Sequence, residues 1–195
     1  MPDTLTSEIE AVNTCLATIG EAPVNTLTGT LPTDVNMAVS VLKEVRRKVC
    51  GQGWFFCKDT EVQSSLNGSG HIVLATNVLV AELSYPQWGI QLVQRGASLY
   101  NSYKQTYVFD RAPKLDLTYL LDWSELPEQA RQYIMHRAAR IFQARTVGAP
   151  ELDSMSSRDE QMALIELKSA DCDTANYNMF DNASMAQIHR YRRRR

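Results

Sequence analysis

The sequence predicts an α+β protein: mainly a helical bundle of about four helices, with a small antiparallel β domain inserted into it. Two observations carry this. Apolar residues recur at helical spacing in the first and last quarters of the chain. Between about residues 71 and 121 the β-branched and aromatic content rises and turn residues come at short spacing. The expected organisation is residues 1–53 as the N-terminal helices of the bundle, 54–123 as the β domain, 124–180 as its C-terminal helices and 181–195 as a basic tail.

The first helix opens at Ser7, with Glu10 three residues on to complete a reciprocal cap, and runs along Ile9, Val12, Leu16 and Ile19. Gly20 and Pro23 force a corner. Thr33 or Asp34 is placed to cap a second helix, whose stripe is Ala38, Val41, Leu42, Val45 and Val49. Gly51 or Gly53 stops it. Trp54, Phe55 and Phe56 then read as an aromatic strand that has to be buried.

The stretch around Asn67, Gly68, Ser69 and Gly70 is a turn or exposed loop. Strands are expected over 71–76, 78–83, 91–95, 98–100, 107–110 and 115–121, the last alternating cleanly with Leu115, Leu117 and Tyr119 on one face. A third helix starts near Pro127 and carries Ala130, Tyr133, Ile134, Ala138, Ile141 and Phe142, with Arg131, Arg137, Arg140 and Arg145 on other faces. Gly148 ends it. Ala149 and Pro150 open a fourth helix, whose packing stripe is expected at Leu152, Met155, Met162, Ile165 and Cys172.

The combination AVNTCLATIGEAPVNTL, the amphipathic helix after it, the GQGWFF stop and the later GAPEL and YNMFD resembles the tail tubular protein A family, the head-to-tail adaptors of T7-like short-tailed bacteriophages. The resemblance runs over nearly the whole chain and rests on the order of its landmarks. It implies a helical bundle carrying a β domain, and a dodecameric ring between the portal and the tail nozzle, tail tubular protein B. It also implies tail fibres attached near the lower joint and double-stranded DNA passing through without specific binding. Such a protein belongs to the virion tail and is made and assembled in the host bacterial cytoplasm.

Composition agrees with a globular chain, at 44% hydrophobic and 22% charged residues. No apolar run approaches the roughly 20 residues that span a bilayer, so no membrane partner is expected. Cys15, Cys50, Cys57 and Cys172 are scattered without a CxxC, which favours reduced, buried thiols over a disulfide and leaves no zinc set. No cofactor or metal is expected. The formal charge of −2 hides an asymmetry: Arg190, Arg192, Arg193, Arg194 and Arg195 are five of the 20 basic residues, which leaves 15 bases against 22 acids, a body of −7.

No catalytic motif stands out: there is no GxSxG, no phosphate-binding glycine loop and no HExxH. His71, His136 and His189 are spread over a strand, a helix and the tail. The expectation is therefore no enzyme. The alternative is a tail-associated peptidoglycan or polysaccharide hydrolase, for which Asp116, Asp122 and Glu125 would supply paired carboxylates.

The terminal run Arg190, Tyr191, Arg192, Arg193, Arg194 and Arg195 has three readings: phosphate neutralisation on DNA, forked pairing with carboxylates of a neighbouring ring, or a solvated end. The second is preferred, at the portal, because arginines on the DNA path would hold DNA that must slide. A lumen lined by carboxylates would instead let it pass. On the β loops, Trp88, Tyr100, Tyr103 and Tyr107 are the expected anchors for nozzle or fibre, against ordinary sheet packing.

Overall fold

The computed structural model describes residues 5–174. Helix α1 (Glu8–Ala17) begins with the expected reciprocal cap, the Glu10 amide donating to Ser7 Oγ at 3.2 Å and the Ser7 amide donating to Glu10 Oε2 at 2.6 Å. The corner after it is held by Asn13, whose side chain accepts the Val24 amide at 2.8 Å and donates to the Val24 carbonyl at 3.0 Å. Gly20 supplies the positive φ of 79° that lets the chain leave the helix.

Helix α2 (Thr33–Cys50) buries Ala38, Val41, Leu42, Val45 and Val49 as the spacing predicts. Its N-cap is Pro32, not Thr33 or Asp34, and no side chain caps it. The helix thus starts one residue earlier than a cap at Thr33 requires, and Asp34 sits in the first turn, where a negative charge favours the helix dipole.

Helix α3 (Glu128–Thr146) follows a short 3-10 turn (Trp123–Glu125) and has Pro127 as its N-cap, one position outside the helix. It packs against α1, α2 and α4 (Pro150–Thr174) and so forms the middle of the bundle. Arg131, expected on an outer face, is buried. The four helices share one core, which also takes in Cys57, Trp123 and Leu126, so α1 and α2 build the same body as α3 and α4.

The fourth helix corrects the sequence reading. Ala163 and Leu167 are the buried residues of α4, while Leu152, Met155, Met162, Ile165 and Cys172 are all exposed. Ala163 is small enough to allow close approach to α3, and the larger apolar residues lie on other faces.

Trp54, Phe55 and Phe56 form a turn, closed by the Cys57 amide donating to the Trp54 carbonyl at 2.9 Å, and they are half-buried. Trp54 and Phe56 cover the edge of the helical core, and the Phe55 amide donates to Asp171 Oδ1 at 3.0 Å, tying the end of α4 to this turn. The β region has five strands: β1 (Lys58–Gln63), β2 (Val78–Leu83), β3 (Leu92–Arg95), β4 (Ser98–Asn101) and β5 (Lys114–Tyr119). β5 lies between β1 and β2 in an antiparallel sheet, with Val62 and Leu83 both opposite Leu115, and β3 and β4 form a separate hairpin turned by Gly96 at φ 61°.

Three β expectations change. The sequence predicts no strand at β1, because KDTEVQ is polar; the strand is mostly exposed and its place is set by backbone pairing to β5. Residues 71–76 make one isolated bridge, Val73 to Ser98, and residues 107–110 form no strand. Both segments instead insert side chains: Ile72, Leu74 and Phe109 fill a second core with Val78, Leu99, Leu115 and Leu117. Cys15, Cys50 and Cys57 are buried and Cys172 is exposed, all as free thiols.

Candidate interaction surfaces

The three acids considered for hydrolysis are committed to local structure. Asp116 on β5 accepts the Ser84 hydroxyl at 2.6 Å and the Glu61 amide at 3.1 Å, with Lys58 Nζ at 3.7 Å. These contacts, the Ser84 bond first, hold its carboxyl below the ordinary range against the opposing effect of burial. Asp122 precedes the 3-10 turn with its side chain largely exposed, and its amide donates to Glu125 Oε2 at 2.9 Å. Asp116 thus belongs to the sheet, whereas Asp122 and Glu125 shape the entry to α3. Among the described residues no three His, Cys, Asp or Glu side chains gather as a metal set, and no helix is long and apolar enough to cross a membrane.

The aromatic residues of the β loops divide into two groups. Trp88 is 98% exposed and Tyr103 is 65% exposed, both projecting from turns outside the strands. Tyr100 on β4 is half-buried, its ring meeting Tyr107 edge-on at 4.9 Å and carrying the Arg95 guanidinium 3.7 Å from its centroid. Tyr100 and Tyr107 therefore take part in packing the β region, while Trp88 and Tyr103 are free for contact. Beside Trp88 opens a cleft of about 370 Å³, lined also by Asn101, Lys104, Phe109, Asp110 and Arg111.

The cleft is organised by Asn101, whose buried side chain donates to the Gly89 carbonyl at 3.0 Å and accepts the Gln91 and Tyr103 amides at 3.2 and 3.1 Å. One side chain thus fixes both loops that present Trp88 and Tyr103. Lys104 donates to Asp110 Oδ2 at 2.7 Å on the rim. No sequence motif marks this cleft, because its walls come from three separate segments, around residues 87–90, 101–104 and 108–111. The terminal arginines assigned to a portal contact, Arg190 and Arg192 to Arg195 with Tyr191, lie outside the described residues.

The bundle has its own polar clasps. Arg140 on α3 pairs with both Asp153 oxygens, Nε at 2.7 Å and a terminal nitrogen at 3.2 Å, and reaches Glu160 at 3.0 Å. Arg145 and Lys48 together hold the Glu44 carboxyl at about 2, far below its ordinary value, and so join α3 to α2. These are scaffold contacts that tie the helices of the bundle to one another.

Among known proteins, "Tail tubular protein A" of Klebsiella phage KP34 is 27% identical over 137 residues, covering 69% of this chain and 71% of the relative. A family model described as "Tail tubular protein" matches residues 9–177, most of the chain. This chain therefore belongs to the tail tubular protein family and is a structural component of a phage tail.

Proposed function

We propose that this tail protein is a ring-forming adaptor that joins the portal to the tail nozzle, supports fibre attachment and forms part of the channel through which DNA leaves. The observation that carries the reading is the presence of chemically different outer surfaces on one subunit. Trp88 and Tyr103 stand on loops fixed by Asn101, and the helical flanks are charged. An adaptor needs different contacts above and below together with a lateral contact that closes on itself.

Within this reading, Trp88, Tyr100, Tyr103 and Tyr107 belong to the nozzle or fibre side, with Trp88 and Tyr103 as the anchors. Arg190, Tyr191, Arg192, Arg193, Arg194 and Arg195 dock on portal carboxylates. The body, at −7 without the tail, repels phosphate along the channel. Asp116, Asp122 and Glu125 have structural roles that account for them, so the hydrolase alternative gains no support from their geometry.

The test is electron microscopy of the purified chain alone and with portal rings of the same phage. Rings that stack on the portal support the adaptor. A chain that stays monomeric with portal present, or a lumen lined mainly by Lys and Arg, overturns it.

A further inference from the structure

The outer face of α4 carries a seam that the bundle does not use. Met155, Arg158, Met162, Ile165, Ser169 and Cys172 follow one another at alternating spacings of three and four, and every one is exposed. Met155, Met162 and Ile165 are 71%, 57% and 61% exposed, which sets this seam apart from the buried Ala163 and Leu167 face. Alternating three-and-four spacing is the pattern with which one helix meets another by inserting knobs into holes. At 1.5 Å per residue the seam runs about 25 Å.

We propose that this face of α4 packs against the outer face of α2 in a second copy of the chain, forming the lateral joint of the ring; the inference rests on the ring reading above. Charge selects the partner. α4 carries seven acids, Glu151, Asp153, Asp159, Glu160, Glu166, Asp171 and Asp173, against two bases, Arg158 and Lys168. Asp159, Glu166 and Asp173 each follow a seam residue directly and are exposed. A second α4 would bring these acids against like charge and would make a closed dimer.

The outer face of α2 has the opposite character. Thr33, Asn36, Ser40, Lys43 and Arg47 are exposed, again at alternating spacings of three and four. The first three are small or short enough to receive methionine and isoleucine side chains, and Met37 beside them is 37% exposed. Lys43 and Arg47 complement the acid row. Glu44, the nearby acid, is already neutralised by Arg145 and Lys48. Because α4 of one copy meets α2 of the next, the contact is head-to-tail and can close into a ring.

The experiment is sedimentation velocity of the full-length chain, alone and with portal rings, using Met162→Glu/Ile165→Glu and the charge reversals Glu166→Lys and Arg47→Glu. Unchanged far-ultraviolet dichroism and melting confirm that these exposed positions leave the monomer folded. The apolar pair and each single reversal are expected to raise the concentration for half-assembly by at least about tenfold, and combining the two reversals to restore it. Cys172 is a native reporter, reacting readily with a thiol reagent in the monomer and becoming protected on assembly.

Rings that form normally in Met162→Glu/Ile165→Glu overturn the seam while leaving the adaptor reading intact. Lost assembly that the double reversal does not restore overturns the pairing with α2. A Cys172 that is protected in the monomer and freed by deleting residues 181–195 shows that the chain's own tail covers the seam, which also overturns the inference. Wild-type chain that never assembles removes both readings together.

Discussion

The Asp116 carboxylate accepts the amide of Glu61 at 3.1 Å, and Glu61 is the residue that bulges out of β1 with a φ of 57°. A non-glycine residue in that conformation persists only where its surroundings hold it. Asp116 holds its amide, while Tyr85 donates to the Glu61 carboxylate and Lys114 Nζ lies 2.8 Å from it. Asp116→Ala is expected to lower stability by about 1–3 kcal/mol, through the loss of hydrogen bonds to a charged group. Urea denaturation measures it, and an unchanged midpoint would show that the bulge holds itself.

Acid should loosen the fold through the same group. The carboxyls of Asp116 and Glu44 are both held below their ordinary values of 3.8 and 4.5 in the folded chain, Glu44 to about 2. Depressed folded values mean that this stabilisation is complete above about pH 4.5 and fades as pH falls towards 2. Chemical denaturation between pH 6 and 2.5 is expected to show a falling midpoint, with a shallower fall in Asp116→Ala. Equal slopes in both proteins would remove Asp116 from the account.

α1 and α2 are legible because each carries one apolar stripe, and a single stripe has only one place to go, whereas α3, in the middle of the bundle, also buries Arg131, Met135 and Gln143 off its expected stripe. α4 carries two stripes. Met155, Met162 and Ile165 are the larger residues and read as the core, but the bundle uses Ala163 and Leu167. Periodicity counts apolar faces without saying which face meets its own chain and which meets another. β1 was invisible for a different reason: a polar strand such as KDTEVQ is recruited by hydrogen bonds from β5, which composition does not record. Of the four aromatic residues expected as anchors, Trp88 and Tyr103 lie exposed in turns, whereas Tyr100 and Tyr107 share ring packing.

Arg131 joins the segment before α1 to the entry of α3. Its Nε donates to the Leu126 carbonyl at 2.8 Å, and its terminal nitrogens donate to the Thr6 and Ser124 carbonyls at 3.0 and 2.9 Å. Trp123 Nε1 also donates to the Thr6 carbonyl, at 2.9 Å, and Glu128 accepts the Thr6 amide at 2.9 Å. Arg131→Met keeps the volume and removes every donor, so it should cost about 3 kcal/mol or more. Arg131→Lys should recover part of that, since an ammonium cannot reproduce the planar fork. Urea midpoints of the three proteins decide it, and equal values for Met and Arg would show that the clasp is replaceable.

Trp88 separates contact from folding. At 98% exposure it contributes almost nothing to the monomer's core, so Trp88→Ala should change stability by no more than about 0.5 kcal/mol. An aromatic anchor at the centre of an interface commonly carries about 2 kcal/mol or more, roughly a thirtyfold change in affinity. On the proposed adaptor role, the variant should melt like the wild type while nozzle or fibre occupancy on assembled tails falls in electron micrographs. Asn101→Ala should reduce the same occupancy and also lower the melting temperature, because it releases the Gly89 carbonyl and the Gln91 and Tyr103 amides from one buried side chain. Complete tails from Trp88→Ala would move the nozzle and fibre contact away from this rim, whatever Asn101→Ala does.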